Sequence, residues 1–442
     1  MLDLRYRTIL SVAIPLMASS FIQSIVMITD SSFLSRYGIV AYDAAGNGGM
    51  IFVTLFVALM GMSDGSQILM ARRIGEKKEH LLAQIFGTTL LINLIIAAVL
   101  LIGIQLFLPD LIRSFTHNHA IAESEIVFVR IRSFGLLFSM ITLSINSYFL
   151  AMGKTYMILV SAAIIAVTNI LLDYGLIFGN LGMPSMGIAG AAYASMLADG
   201  AGMVFISLAL IASNDRKRHK LFKGLRYNTD SLKSLLKIGS PITLQLLVAL
   251  ITWTVFFIWI EQKGEYELTV SQTIRTLYFL AFVPIWGFSS TTKTYISQYL
   301  GNKSYDDIKT IHKRIQILTV VFLFGLFHGA IFYPEFLVGL INPKEEYIQG
   351  SAELLQYISG SILIYGIASV YFQTISGSGN TRVTFYIETI SVAIYIVSAY
   401  LFIKVFQWDI YSVWTVEYVY FIIMGLLSVG YLRLFDWKTK SI

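Results

Sequence analysis

The segments GMSDGSQILMARRIGEKK (61–78) and GFSSTTKTYISQYLGNKS (287–304) are two copies of one pattern, and the reading of the whole chain follows from them. They superpose without a gap at an offset of 226, pairing Gly61 with Gly287, Ser63 with Ser289, Gly75 with Gly301 and Lys77 with Lys303. The register continues outward: Pro15 falls on Pro241, Gly38 on Gly264, Gly153 on Gly379 and Thr155 on Thr381. Isolated glycine matches arise by chance in apolar chains. One ungapped register held over separate regions indicates a duplication.

What is duplicated follows from composition. Of the 442 residues, 56% are apolar and only 13% charged, against soluble norms of about 45–50% and about 25%. Mean hydropathy is +0.71. That polarity is too low to cover a soluble particle, and it excludes disorder, collagen and coiled coil. With no Cys, disulfides, thiolate metal sites and cysteine nucleophiles are excluded too. A bilayer core requires about 20 apolar residues per helix. Twelve such runs are present, at 10–34, 50–70, 85–108, 134–152, 157–177, 188–211, 238–260, 277–296, 317–340, 354–375, 383–402 and 410–432. The expected fold is an all-α integral membrane protein of twelve transmembrane helices in two pseudo-symmetric six-helix bundles. The N-terminal bundle is placed at 1–211, a cytoplasmic linker at 212–237 and the C-terminal bundle at 238–442.

The net charge of +6 is an orientation signal rather than a nucleic-acid footprint. With the N-terminus inside, the inner segments hold 23 Lys/Arg, including Lys223, Arg226 and Lys440, and the outer ones hold five. This satisfies the positive-inside rule and puts both termini in the cytoplasm. Arg5 and Arg7 precede an apolar run without a small-residue cleavage site, so the first segment is expected to remain as a helix. An offset spanning six helices keeps both copies in one orientation. Such parallel repeats place a substrate site between halves in alternating-access carriers.

The copies differ where polarity matters. Asp30 aligns with Phe256, Asn169 with Tyr395 and Asp173 with Ala399. A charge at the bilayer centre costs about 2.5–3.5 kcal/mol, so an internal acid is a functional candidate by default. At 1.5 Å rise per residue, Asp30 and Asp173 each lie roughly 9 Å below the outer helix ends, and Ser195 roughly 10 Å. Asn169 is one turn from Asp173 on the same face. The spacing therefore predicts one polar layer drawn from three helices. Two carboxylates together in low dielectric must share a proton or bind a cation such as sodium, which favours oxygen ligands. The bland reading is that each acid pairs privately with a hydroxyl or amide and stiffens the bundle.

Other polar residues carry less. Asp199, one turn beyond Ser195, is a candidate cavity or substrate residue, as are Asn146, Gln245, Gln373 and Glu388; the three amides read more simply as interhelical hydrogen bonds. His328 and Glu417 are weaker cavity candidates, and Asp64 reads as reaching the inner interface. Arg130, Arg132, Arg275 and Lys293 near helix ends read as snorkelling cations. The other histidines, at 80, 117, 119, 219 and 312, are expected in loops, so no clustered metal site is expected. No P-loop, Gly-x-Ser-x-Gly elbow or HExxH motif is present, which argues against ATP hydrolysis and intramembrane enzymology. The 30 Phe, 25 Tyr and 15 Met serve chiefly packing and the interface belt, and some suit an adaptable apolar binding wall.

These features resemble the multidrug and toxic compound extrusion (MATE) family. The stretch ITDSSFLSRYG (28–38) is similar to the family's first-helix acid followed by a basic-Gly exit. NILLDYGLIFGNLGMPSMGIAGAAYAS (169–195) resembles its most specific signature, and the glycine pairs at 75/301 and 153/379 fit its repeated pattern. The resemblance implies that Asp30, Asn169, Asp173 and Ser195 form a sodium or proton site in the N-terminal lobe, with the backbone of Ala191 contributing. Ser195 stands where the family commonly has Thr. The stretches 241–251 and 364–376, where some members carry further acids, have none, so the chain resembles the branch that couples through the N-terminal lobe alone.

The expected function is secondary antiport. Protons or sodium entering from outside drive export of amphipathic, often cationic drugs through the cell (inner) membrane, with no cofactor, no enzymatic step, no nucleic-acid partner and a monomeric carrier in the lipid bilayer. A lipid-linked saccharide flippase of the wider superfamily would favour a strongly cationic cavity. A non-transporting sensor or scaffold would tolerate loss of Asp30 and Asp173.

Overall fold

The computed structural model describes residues 1–116, 118–222 and 228–439; His117, Lys223, Arg226 and Lys440, named above, lie outside the described residues. The described residues are helical almost throughout, with no strand among them. Among the described residues twelve helices are long and apolar enough to cross a membrane. The sequence supplies each with an apolar run and punctuates it with glycine or proline. The first half comprises α1 (Tyr6–Tyr37), α2 (Ile39–Gly75), α3 (Leu82–Phe115), α4 (His119–Ser133), α5 (Gly135–Met152), α6 (Tyr156–Phe178), α7 (Gly187–Ala212) and the short α8 (Asn214–Arg218). The second comprises α9 (Thr229–Glu261), α10 (Glu265–Gly301), α11 (Asp307–Phe327), α12 (Gly329–Phe332), α13 (Pro334–Ile341), α14 (Glu345–Gly377), α15 (Thr381–Tyr400), α16 (Ile410–Val413) and α17 (Thr415–Leu434).

The duplication is visible in the backbone. Gly153 and Gly379 end α5 and α14 in the left-handed conformation, at φ 71° and 84°, which glycine adopts without a Cβ penalty. Lys77 and Lys303 follow α2 and α10 in that same conformation, at φ 59° and 60°.

Three expectations are corrected. The ninth run, 317–340, is not one helix. It breaks after Phe327, passes through the single turn of α12 and starts again at Pro334, which opens α13 because proline suits the first helical turn. The stretch before the fourth run, given no helix of its own above, holds one: Asn118 caps α4, its Oδ1 accepting from the Ala120 and Ile121 amides, and the chain turns at Phe134 before α5. Lys293 does not snorkel; it is 6% exposed in α10, where Gly377 of α14 packs against its backbone.

The chain divides into two compact units, Ile14–Thr243 and Met1–Ala13 with Leu244–Ile442. The sequence reading places the borders of the halves at 211/212 and 237/238 instead. The difference has a local cause in each unit. Residues 212–222 are pinned to the first unit: Asp215 pairs with Lys154, and His219, 3% exposed, meets Tyr148 at 2.6 Å and Glu79 at 3.1 Å. The first turns of α9 join the same unit, where Gly239 lies so close to Gly65 that a Cβ there would sit 2.8 Å from its Cα. Correspondingly, Leu2 donates to Gln298 at 2.9 Å, while Tyr295 and Tyr299 donate to the Asp3 and Leu2 carbonyls at 2.8 and 2.9 Å, holding the N-terminus in the second unit. Pro15 and Pro241 lie inside α1 and α9 close to these borders, each removing one backbone donor from its helix.

Inside the first unit, α6 and α7 approach closely at Gly190, where a Cβ would fall 2.4 Å from the Leu176 carbonyl oxygen. Gly190→Ala is expected to force these helices apart and cost about 1–3 kcal/mol. Gly46→Ala meets nothing within 4 Å. Melting of both variants in detergent checks this: Gly190→Ala melts lower than wild type, and Gly46→Ala does not.

Candidate coupling site

The pairing of α6 and α7 is built by the loop between them. Gly179 ends α6 in the left-handed conformation (φ 78°). The loop then folds back: the Met186 amide donates to the Leu176 carbonyl at 2.7 Å and the Ser185 hydroxyl to that of Ile177 at 3.2 Å. With Gly190 admitting Leu176, Ser195 comes to face Asn169, whose Nδ2 donates to the Ser195 hydroxyl at 3.3 Å. Ala191 lies one turn before Ser195, 3% exposed.

Helix α1 is positioned by aromatic contacts one and two turns past Asp30. Phe33 lies 6.4 Å from Tyr174 and 5.8 Å from Phe178, and Tyr37 lies 6.5 Å from Phe178, centroid to centroid. This docking brings the Asp30 carboxylate within hydrogen-bonding range of that of Asp173. Asp173 is fully buried and Asn169 is 1% exposed. The layer expected from helical spacing is thus assembled around α6, which contributes Asn169 and Asp173 and receives Asp30 from α1 and Ser195 from α7.

The donors do not match the acceptors. Asp30 Oδ1, both carboxylate oxygens of Asp173 and Asn169 Oδ1 are buried without a hydrogen-bond partner. Buried polar atoms are ordinarily satisfied, so this concentration of acceptors fits a bound proton or a hard cation with oxygen ligands. Among the described residues no group of three His, Cys, Asp or Glu suits a transition metal.

Asp199 belongs to a different arrangement from the cavity role expected of it. Its Oδ2 accepts from Arg132 Nη1 at 2.5 Å and from Ser139 Oγ at 3.2 Å, and both charged side chains are 14% exposed. The Arg132 guanidinium carbon also lies 3.9 Å from the centre of the Phe52 ring. Arg132 therefore does not snorkel, whereas Arg130 remains exposed and binds the Gln105 carbonyl at 3.2 Å. The pair escaped the sequence reading because no separate helix is expected before 134, which leaves Arg132 at the outer end of the fourth run. The available signal was the Asn118-x-x-Ile121 cap preceding an amphipathic run.

The remaining candidates scatter. Asn146 leaves its Oδ1 buried and unpartnered instead of making the expected interhelical bond. Gln245 and Gln373 are half-buried. In the second unit Glu388 is 3% exposed and accepts from Tyr420 at 2.5 Å, while Glu417 accepts from Tyr395 at 3.0 Å. Arg275 is half-buried over the Phe257 ring. His219 and His312 are not loop residues of the expected kind: the first is buried, and the second sits in α11 with Nε2 at 2.7 Å from the Thr374 hydroxyl.

Two six-span repeats in one chain make this a multi-pass membrane protein, of a family of transporters and not enzymes. The MatE family model matches residues 15–175 and again 241–401, two matches displaced by the same 226 residues as the internal repeat, and the chain belongs to this family of multidrug efflux transporters. It is 22% identical to the probable multidrug resistance protein YoeA of Bacillus subtilis, over 97% of this chain and 93% of that one. It is 23% identical to the probable multidrug resistance protein NorM of Thermotoga maritima, over 99% and 94%. Among solved structures it shares its fold with a MOP superfamily transporter from Pyrococcus furiosus, at TM-score 0.88 and 18% identity over 97% and 95% of the two chains. A Vibrio cholerae MATE transporter matches at TM-score 0.88 and 18% identity, over 98% of each.

If the carboxylate pair is held together against like-charge repulsion, neutralising one member should stabilise the fold when no cation is supplied. In sodium-free buffer at pH 8, Asp30→Asn and Asp173→Asn are each expected to raise the melting temperature by about 2–5 °C. Differential scanning fluorimetry checks this, and the gain should shrink when wild type is given sodium or acid.

Proposed function

We propose that this transporter is a secondary antiporter that exports amphipathic, often cationic compounds in exchange for protons or sodium, with Asp30, Asn169, Asp173 and Ser195 as the coupling layer. The carrying observation is the set of buried acceptor oxygens without donors, gathered where two carboxylates touch. Ala191 lines the same stretch of α7 and offers a backbone carbonyl. The loaded layer is charge-compensated and can be enclosed at low cost; the unloaded layer favours access to water, and this difference biases the conformational cycle. The driving force is ample, at about 2.3 kcal/mol per charge per 100 mV and about 1.36 kcal/mol per unit of pH gradient. The names of the curated relatives support the substrate class, and the basic bias of the inner segments supports an orientation with both termini in the cytoplasm.

The test is efflux of ethidium from proteoliposomes under an imposed proton or sodium gradient. Wild type is expected to pump under at least one gradient, and Asp30→Asn and Asp173→Asn to lose about tenfold or more of the gradient-driven rate. Normal pumping by both variants under either gradient overturns the coupling assignment.

A further inference from the structure

Among the described residues of the first unit, Arg132 is the cation that acts on the carboxylate pair. Arg132 is bonded to Asp199, one turn along α7 from the Ser195 that meets Asn169, so its charge stands beside the layer and acts on Asp30, yet its guanidinium is held on Asp199 and laid over Phe52. Each restraint comes from a different helix: Asp199 from α7, Ser139 from α5 to the same carboxylate oxygen, and Phe52 from α2. Gly135 completes the recess, since a Cβ there would lie 2.3 Å from Arg132 Nη1 and 3.0 Å from Asp199 Oδ2. The charged groups that act on Asp30 are Asp173 from α6 and Arg132 from α4.

A guanidinium released onto Asp30 would satisfy the pair permanently. Its two-pronged donor geometry suits a carboxylate well, and a resident cation competes with any mobile one. We infer that Asp199 is a positioning residue that sequesters Arg132, keeping the Asp30–Asp173 pair dependent on an exchangeable cation. The inference rests on the proposed coupling role of that pair. Asp199 acts through Arg132 and need not touch the transported ion.

The prediction separates this role from mere stiffening, because it requires that one substitution be rescued by a second. Cation loading is read on the full chain in detergent as the melting-temperature shift against sodium concentration and, separately, against pH. Asp199→Asn is expected to weaken loading about tenfold or more, whichever ion acts, because the freed guanidinium occupies Asp30. Asp199→Glu retains the ion pair and loads like wild type. The double variant Arg132→Gln/Asp199→Asn removes both released charge and sequestering partner, and returns loading to within about threefold of wild type. Ethidium efflux follows the same order. Wild-type loading by Asp199→Asn, or a double variant as impaired as the single one, overturns the inference. Should Asp199→Asn fail to fold, the double variant decides alone: loading weaker than wild type by tenfold overturns it, and loading equal or tighter supports it. A cation response in wild type that survives Asp30→Asn overturns the coupling reading itself, and this inference with it.

Discussion

Two carboxylates pressed together in an apolar bundle form an arrangement that a protein interior does not tolerate unaided. The contact between Asp30 and Asp173 is imposed from outside the pair, by Phe33 and Tyr37 packing on Tyr174 and Phe178 one to two turns away. Aromatic docking of this kind is indifferent to the protonation of its neighbours. The geometry of the pair is therefore set by packing while its charge is left to the medium. That division makes a small ion able to act as a conformational signal, since compensating charge changes the cost of enclosure without rebuilding the scaffold.

The second unit gives the contrast. At the offset of 226, the places of Asp30, Asn169 and Asp173 are taken by Phe256, Tyr395 and Ala399. Phe256 meets Tyr395 edge to face, with centroids 5.5 Å apart, so the corresponding helices are joined there by an aromatic contact. Tyr395 then donates to Glu417, which occupies the register position of Ala191. The repeat thus preserves a helix-to-helix contact and changes its chemistry, from unsatisfied oxygens in one unit to a satisfied hydrogen bond and an edge-to-face ring pair in the other. A duplicated scaffold frees one copy for stability and leaves the other to hold the strained polar layer.

Much of this was legible in the chain itself. The twelve spans follow from apolar run length, and the 226-residue register from glycines that the backbone needs, as at Gly153 and Gly379 with positive φ. The polar layer followed from helical rise and spacing, which place Asn169 and Asp173 one turn apart on α6. What escaped depended on where helices stop. The break before Pro334 was hidden because Phe, Leu and Ile continue across it, and hydropathy does not register a change of direction. Helix α4 was missed because its own polarity is too high for a span, though it is long enough to bury Arg132. Partners such as Tyr148 for His219, or Thr374 for His312, come from distant segments and leave no periodic trace.

The charge inventory of the first unit ties these points together. Among the described residues, three acids, Asp30, Asp173 and Asp199, and one base, Arg132, stand around the layer. Burial penalises every unpaired charge, so the base must be committed to one acid, and the remaining two must find compensation elsewhere. Had Arg132 faced Asp30, the inventory would balance between resident groups and a lone Asp199 would remain, flanked by Ser139 and open to pairing with nothing mobile in particular. The observed commitment of Arg132 to Asp199 leaves the deficit on two touching carboxylates, which is the arrangement with the greatest appetite for a small cation. Where a single arginine is tethered therefore governs whether three buried acids constitute a rigid salt-bridge network or a site that fills and empties.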